Sequence, residues 1–144
     1  MLGAMSLPPV VAEVVVPATP TEAFVGFTAQ MGEWWDPLLS PDPNTFTSIE
    51  VDPDGDVATV HGDDRHVWGR VTTWEPAGRF TQDFWLGLPE GQRSVLDVRF
   101  LGIENDTRTR VRLEHRDWPD GSQGADGIRA QWEDLLARFA AFVS

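Results

Sequence analysis

Apolar and polar positions change period twice along the 144 residues of the chain. Val10–Val16 is a β-branched run ended by Pro17, the composition of a strand. Phe24, Phe27, Thr28 and Met31 then recur at helical spacing and predict a helix over Thr21–Met31. Thr19-Pro20-Thr21-Glu22 opens it: Thr19 can cap, Pro20 suits the first helical position and Glu22 completes a capping box. Gly32 reads as the stop of that helix, and Glu33–Asp36 as a brief second helix. The proline-rich stretch up to Asn44 reads as a loop.

From there the period shortens to two. Strands are expected at Thr45–Val51, Asp56–His61, His66–Glu75, Arg79–Leu86, Arg93–Leu101 and Thr107–Arg116. Asp52-Pro53-Asp54-Gly55, Gly62-Asp63-Asp64, Pro76-Ala77-Gly78, Gly87–Gly91 and Glu104-Asn105-Asp106 are the turns between them. Ser94, Leu96, Val98 and Phe100 face one way, and Asp97 and Arg99 the other. Thr109, Val111, Leu113 and His115 likewise share one side, the mark of a sheet with one buried and one wet face. After a Gly- and Asp-rich stretch, Ile128, Trp132, Leu135, Leu136, Phe139 and Val143 form a broad apolar stripe on a closing helix, with Asp126 as its expected cap. The expected order is strand, two short helices, six strands and a long helix.

Composition sharpens this picture in three ways. The size suits one domain over residues 10–144, burying roughly two-thirds of its unfolded surface, with residues 1–9 as a flexible leader. Seven Trp and eight Phe are more aromatic surface than a plain core of this size needs. A formal charge of −12, with arginine as the only base besides histidine, repels phosphates and anionic lipid, so neither nucleic acid nor membrane is an expected partner. No apolar run approaches the ~20 residues of a membrane span. There is no cysteine, hence no disulfide, thiol nucleophile or thiolate metal site, and the cytoplasm is the default location.

An antiparallel sheet with one wet face must cover the other. One helix cannot fill the concave face of seven strands, so a gap beside it is expected, and bulky aromatics are the residues to line it. Several motifs then fall in a familiar order: Val16-Pro17-Ala18-Thr19-Pro20-Thr21-Glu22-Ala23-Phe24, Trp34–Trp35, Trp68-Gly69-Arg70-Val71 with Trp74-Glu75-Pro76, Leu113-Glu114-His115 with Trp118, and Trp132 with Leu136 and Phe139. Together they resemble the SRPBCC (START-like) superfamily, in the branch of homologues of the C-terminal domain of the activator of the heat-shock-protein-90 ATPase. The resemblance covers Val10 to Val143. It implies an α+β helix-grip fold of the START/birch-pollen-allergen kind: a seven-stranded antiparallel sheet wrapped around a long C-terminal helix, with two short helices after strand 1. Members of the superfamily include lipid and steroid carriers and polyketide cyclases, so function has to be argued from the site.

The expected ligand-binding set is Trp35, Trp68, Phe84, Val98, Leu113, His115, Trp132 and Leu136, with His115 as the main polar contact. Arg70 alternates with Trp68, Thr72 and Trp74, and is either a buried cation or a solvated sheet residue. His61-Gly62-Asp63-Asp64-Arg65-His66 gathers histidines and aspartates, but its spacing fits no standard metal site and Arg65 opposes a cation. No nucleophile elbow, P-loop or dinucleotide fingerprint is present, and no cofactor or metal is expected. Three readings follow. The first is a carrier of a small hydrophobic molecule. The second is a cyclase- or dehydratase-like enzyme, with His115, Arg70 and an acid such as Asp97 or Glu114, although alternation turns Glu114 away from His115. The third is a chaperone-linked interaction module; a homodimer is compatible with each.

Overall fold

In the computed structural model, which describes residues 7–119 and 124–144, seven antiparallel strands form one sheet in the order β1-β7-β6-β5-β4-β3-β2. The first six positions of the expected leader lie outside the described residues. The elements are β1 (Val10–Val16), α1 (Pro20–Phe27), α2 (Met31–Trp34), β2 (Phe46–Val51), β3 (Asp56–His61), β4 (Asp64–Glu75), β5 (Arg79–Phe84), β6 (Ser94–Ile103), β7 (Arg108–Arg116) and α3 (Ala125–Phe142). Pairing of β1 with β7 sets the first strand beside the last. Among the described residues, no helix is long and apolar enough to cross a membrane.

The capping box forms as read. Thr19 Oγ1 accepts from the Glu22 N–H at 3.2 Å, and Glu22 Oε1 accepts from the Thr19 N–H at 3.1 Å. The end of α1 differs. It stops at Phe27, and Thr28 closes it: its N–H at 3.0 Å and its hydroxyl at 2.7 Å both donate to the Phe24 carbonyl. Gly32 is therefore no stop; it lies inside α2. A Cβ at Gly32 would come within 2.6 Å of the Ile49 nitrogen, so glycine is what lets α2 lie against β2. Asp36, expected inside the second helix, instead caps a 3-10 turn over Pro37–Leu39, accepting from Leu38 N–H at 3.0 Å. Helix α3 is likewise capped by Gly124 in the left-handed region, φ 85°, and Asp126 sits in its first turn.

Two β-bulges on β4 resolve the choice at Arg70. Ala58 pairs with Val67 and Val57 with Gly69, which leaves Trp68 as an extra residue; Val71 pairs with Gln82 and Thr73 with Thr81, which leaves Thr72 as another. Simple alternation fails across a bulge. Trp68 is buried at 2%, whereas the Arg70 side chain is 58% exposed and lies 3.6 Å from Asp56.

The wet face holds one more departure from simple alternation. Asp97, placed there by its phase, is only 3% exposed. Glu13, Arg112, Arg99 and Arg79 stand abreast on β1, β7, β6 and β5, and like charges side by side are unfavourable. Asp97 relieves this: its carboxylate accepts from Arg79 at 2.9 Å and Arg116 at 2.7 Å, with Arg99 at 3.7 Å. Burial alone would raise the Asp97 carboxyl, but the two arginine hydrogen bonds outweigh it and hold it below the usual carboxylate range.

The inner face is filled over most of its length. Phe24, Phe27, Phe80, Phe100 and Phe139 form a chain of rings with centroids 5.2–6.4 Å apart, joining α1 and α3 to β5 and β6. That packing covers the middle of the sheet and, among the described residues, leaves room toward one end.

Candidate functional site

A cavity of about 830 Å³ lies at that end. Three elements and three connecting segments wall it. Helix α3 contributes Ile128, Gln131, Trp132 and Leu135, and strands β5 and β7 contribute Phe84 and His115. Trp118 follows β7. The segment after α2 adds Trp35, Leu39, Ser40 and Pro41, and the β5–β6 loop adds Leu86, Gly87, Leu88, Pro89 and Gln92. The wall is thus mostly aromatic and aliphatic, with the exposed Gly87, Pro89, Gln92 and Gln131 toward the mouth.

The adjacent tryptophans have separate roles. Trp34 turns into the core, where its indole N–H donates to the Gly26 carbonyl at 2.9 Å and its ring lies 5.5 Å from Phe139. Trp35, past the end of α2, turns to the cavity and packs at 5.4 Å on Trp68 and 6.1 Å from Trp132. Phe84 and Trp85 divide in the same way, as alternation on a strand end requires. Phe84 lines the cavity, while Trp85 donates to the Val67 carbonyl at 3.1 Å and lies under the Arg93 guanidinium at 4.7 Å.

His115 stands at the centre of a relay. The Trp132 indole N–H donates to His115 Nδ1 at 3.0 Å, and an indole can only donate. Nδ1 is therefore an acceptor and Nε2 carries the proton. Nε2–H donates to Ser94 Oγ at 2.7 Å, and the Ser94 hydroxyl donates to the Phe84 carbonyl at 2.9 Å. Both ring nitrogens are used by the protein. Burial drives the imidazole pKa down to about 3, so the ring is neutral at ordinary pH. The expectation that His115 is the main polar contact is therefore corrected: what it offers the cavity is a ring surface, held between Phe84 at 4.5 Å and Trp118 at 3.8 Å.

Of the eight expected positions, Trp35, Phe84, His115 and Trp132 meet on the cavity wall. Trp68 lies behind Trp35. Val98 and Leu113 pair across β6 and β7 one inward-facing row deeper than His115 and are fully buried, and Leu136 is buried with them in the core. Sequence reasoning missed the loop residues Leu39 and Leu86–Pro89, together with Trp118, Gln92, Gln131, Ile128 and Leu135. The available signal was the apolar content of the Trp85-Leu86-Gly87-Leu88-Pro89 turn, where polar residues are the norm. Arg70 is on the opposite face of the sheet and Asp97 is tied to arginines, so the acid–base set expected for a cyclase does not assemble. No group of three or more His, Asp or Glu side chains able to hold a metal occurs among the described residues.

Residues 17–144 match the family model described as activator of Hsp90 ATPase homolog 1-like protein. The chain belongs to that family. Solved structures agree on its helix-grip fold. An anthrahydroquino-gamma-pyrone synthase, Txn09, solved as a complex, is 27% identical with a TM-score of 0.65, the match covering 96% of this chain and 98% of that one. An Hsp90 activator from Plasmodium falciparum is 17% identical with a TM-score of 0.69, covering 95% and 96%. The Aha1 dimer from Colwellia psychrerythraea is 15% identical at 0.65, again over 95% and 96%. No curated protein sequence matches the chain. In this activator-like family member the cavity lies between the first half of α3 and the β5–β6 loop.

Proposed function

We propose that this protein binds a small apolar molecule in the cavity between α3 and the end of the sheet. One observation carries the reading: about 830 Å³ of space walled by Trp35, Phe84, His115, Trp118 and Trp132, within the size range of small-molecule sites. The state of the site favours binding over proton transfer. His115 is the one titratable side chain on the wall among the described residues, and both its nitrogens are already hydrogen-bonded within the protein. The fold, the absence of cysteine and the lack of a spanning helix among the described residues are consistent with action in the cytoplasm.

Native mass spectrometry of protein purified from its own cells tests this, supported by titration with the uncharged dye Nile red. Retained mass or saturable one-site binding is expected. Bare protein together with no dye binding would overturn the reading.

The likeness to the Txn09 synthase over nearly the full length of both chains favours a second reading, an enzyme acting on an aromatic polyketide-like substrate. Such an enzyme would work here by folding and desolvating its substrate, since the wall supplies no free acid or base among the described residues. Turnover of such substrates by the purified protein decides between the two. Membership of the activator-like family supports a third role, docking on a chaperone or self-association, which a pull-down and a sedimentation measurement would reveal.

A further inference from the structure

Among the described residues, the cavity wall carries no aspartate, glutamate or arginine, in a chain that is 24% charged. The arginines next to wall residues are paired. Arg93 lies over Trp85 and 3.3 Å from Asp83, Arg116 is 2.7 Å from Asp97, and Arg129 is 3.1 Å from Asp126. A ligand ion entering this space would leave water and meet no opposite charge on the described wall, which is strongly unfavourable. The −12 exterior opposes an anion further.

The polar groups left on the described wall are two amides and the buried Trp35 indole N–H, which has no hydrogen-bond partner among the described residues. Gln92, on the β5–β6 loop, and Gln131, on α3, are both exposed toward the mouth, and neither amide is engaged by another described side chain. Ser40 donates to the Pro37 carbonyl, and His115 is fully used. A glutamine amide donates and accepts without charge, so it can hold either a carbonyl or a hydroxyl oxygen.

We propose that the cavity selects an uncharged aromatic molecule bearing a carbonyl or hydroxyl at one end, and that Gln92 and Gln131 hold that end at the mouth. This rests on the reading that the cavity takes a ligand at all. The rings stack among Trp35, Phe84, Trp118 and Trp132, and the two amides set which way round the molecule lies.

Calorimetric titration with 9-anthracenemethanol, 9-methylanthracene and anthracene-9-carboxylate at pH 7.5 tests both levels. The alcohol should bind at one site, and the carboxylate about 100-fold more weakly, because its charge has no partner. Joint replacement Gln92→Leu with Gln131→Leu should weaken the alcohol about tenfold and leave the methyl compound unaffected. Equal or tighter binding of the carboxylate would overturn the selection for an uncharged ligand. Equal weakening of alcohol and methyl compound would overturn the role of the two amides. Failure of all three to bind while Nile red still binds would overturn the aromatic selection alone; failure of all three and of the dye would overturn the ligand reading itself.

Discussion

Trp132 on α3 donates its indole N–H to His115 Nδ1 on β7 across 3.0 Å, fixing the tautomer of a buried histidine and tying the helix to the sheet beside the cavity. The bond has two consequences, one for acid stability and one for the tryptophan itself.

A proton added to Nδ1 would break the bond from Trp132 and place a charge in a site that burial makes hostile to it. The folded-state pKa is about 3, below the unfolded 6.5, so the unfolded chain takes up the proton first. Stability from this group is complete above pH 6.5 and declines as pH falls toward 3, by about 1.4 kcal/mol per unit. Between pH 6.5 and 4.5 the loss should reach about 2–3 kcal/mol. Urea midpoints across that window check it, and His115→Gln should flatten most of the dependence. The contribution of Asp97 has the opposite kind of origin, a carboxyl held low, and is lost only at more acid pH.

Trp132→Ala should cost about 3–5 kcal/mol, the range for removing a large buried aromatic. Trp132→Phe keeps much of the packing but leaves Nδ1 without its donor and should cost about 1–3 kcal/mol. Chemical denaturation of both variants separates packing from the hydrogen bond; equal losses would deny the bond a separate contribution.

Gly32→Ala should destabilise by about 1–3 kcal/mol, because its Cβ meets backbone of β2 that cannot give way cheaply. It should also displace Trp35, which follows α2, and so weaken Nile red binding beyond the stability loss. Gly62→Ala, in the β3–β4 turn and off the cavity wall, has open space around its Cβ but φ 63°, strains only that turn and serves as the contrast.

Much of the architecture was legible in local pattern: the capping box at Thr19, the alternation along β6 and β7 and the stripe on α3 each depend on neighbours in sequence. The site was legible only in part. Alternation says that Val98, Leu113 and His115 face inward, but it does not say which of them the helix covers. Phe27, Phe80, Phe100 and Phe139 close the space around the first two, and that packing is long-range. The bulges at Trp68 and Thr72 concern pairing register, to which composition is nearly blind. The β5–β6 loop has no period at all, so its wall residues stayed hidden.

Leu113 illustrates the correction. Enlarging it to Trp would overpack a filled core at about 1–3 kcal/mol, and any effect on binding would be indirect. Ile128 is half-buried on the wall itself, and a larger side chain there projects into the cavity.

The comparison of wild-type protein with Ile128→Trp, by Nile red titration and denaturation midpoint together, therefore tests the central claim most directly. The account predicts one saturable site in wild type and loss of at least about tenfold in affinity in the variant, with stability within about 1 kcal/mol. A stable Ile128→Trp protein that binds the dye as wild type does, or a wild type that binds none, would contradict it.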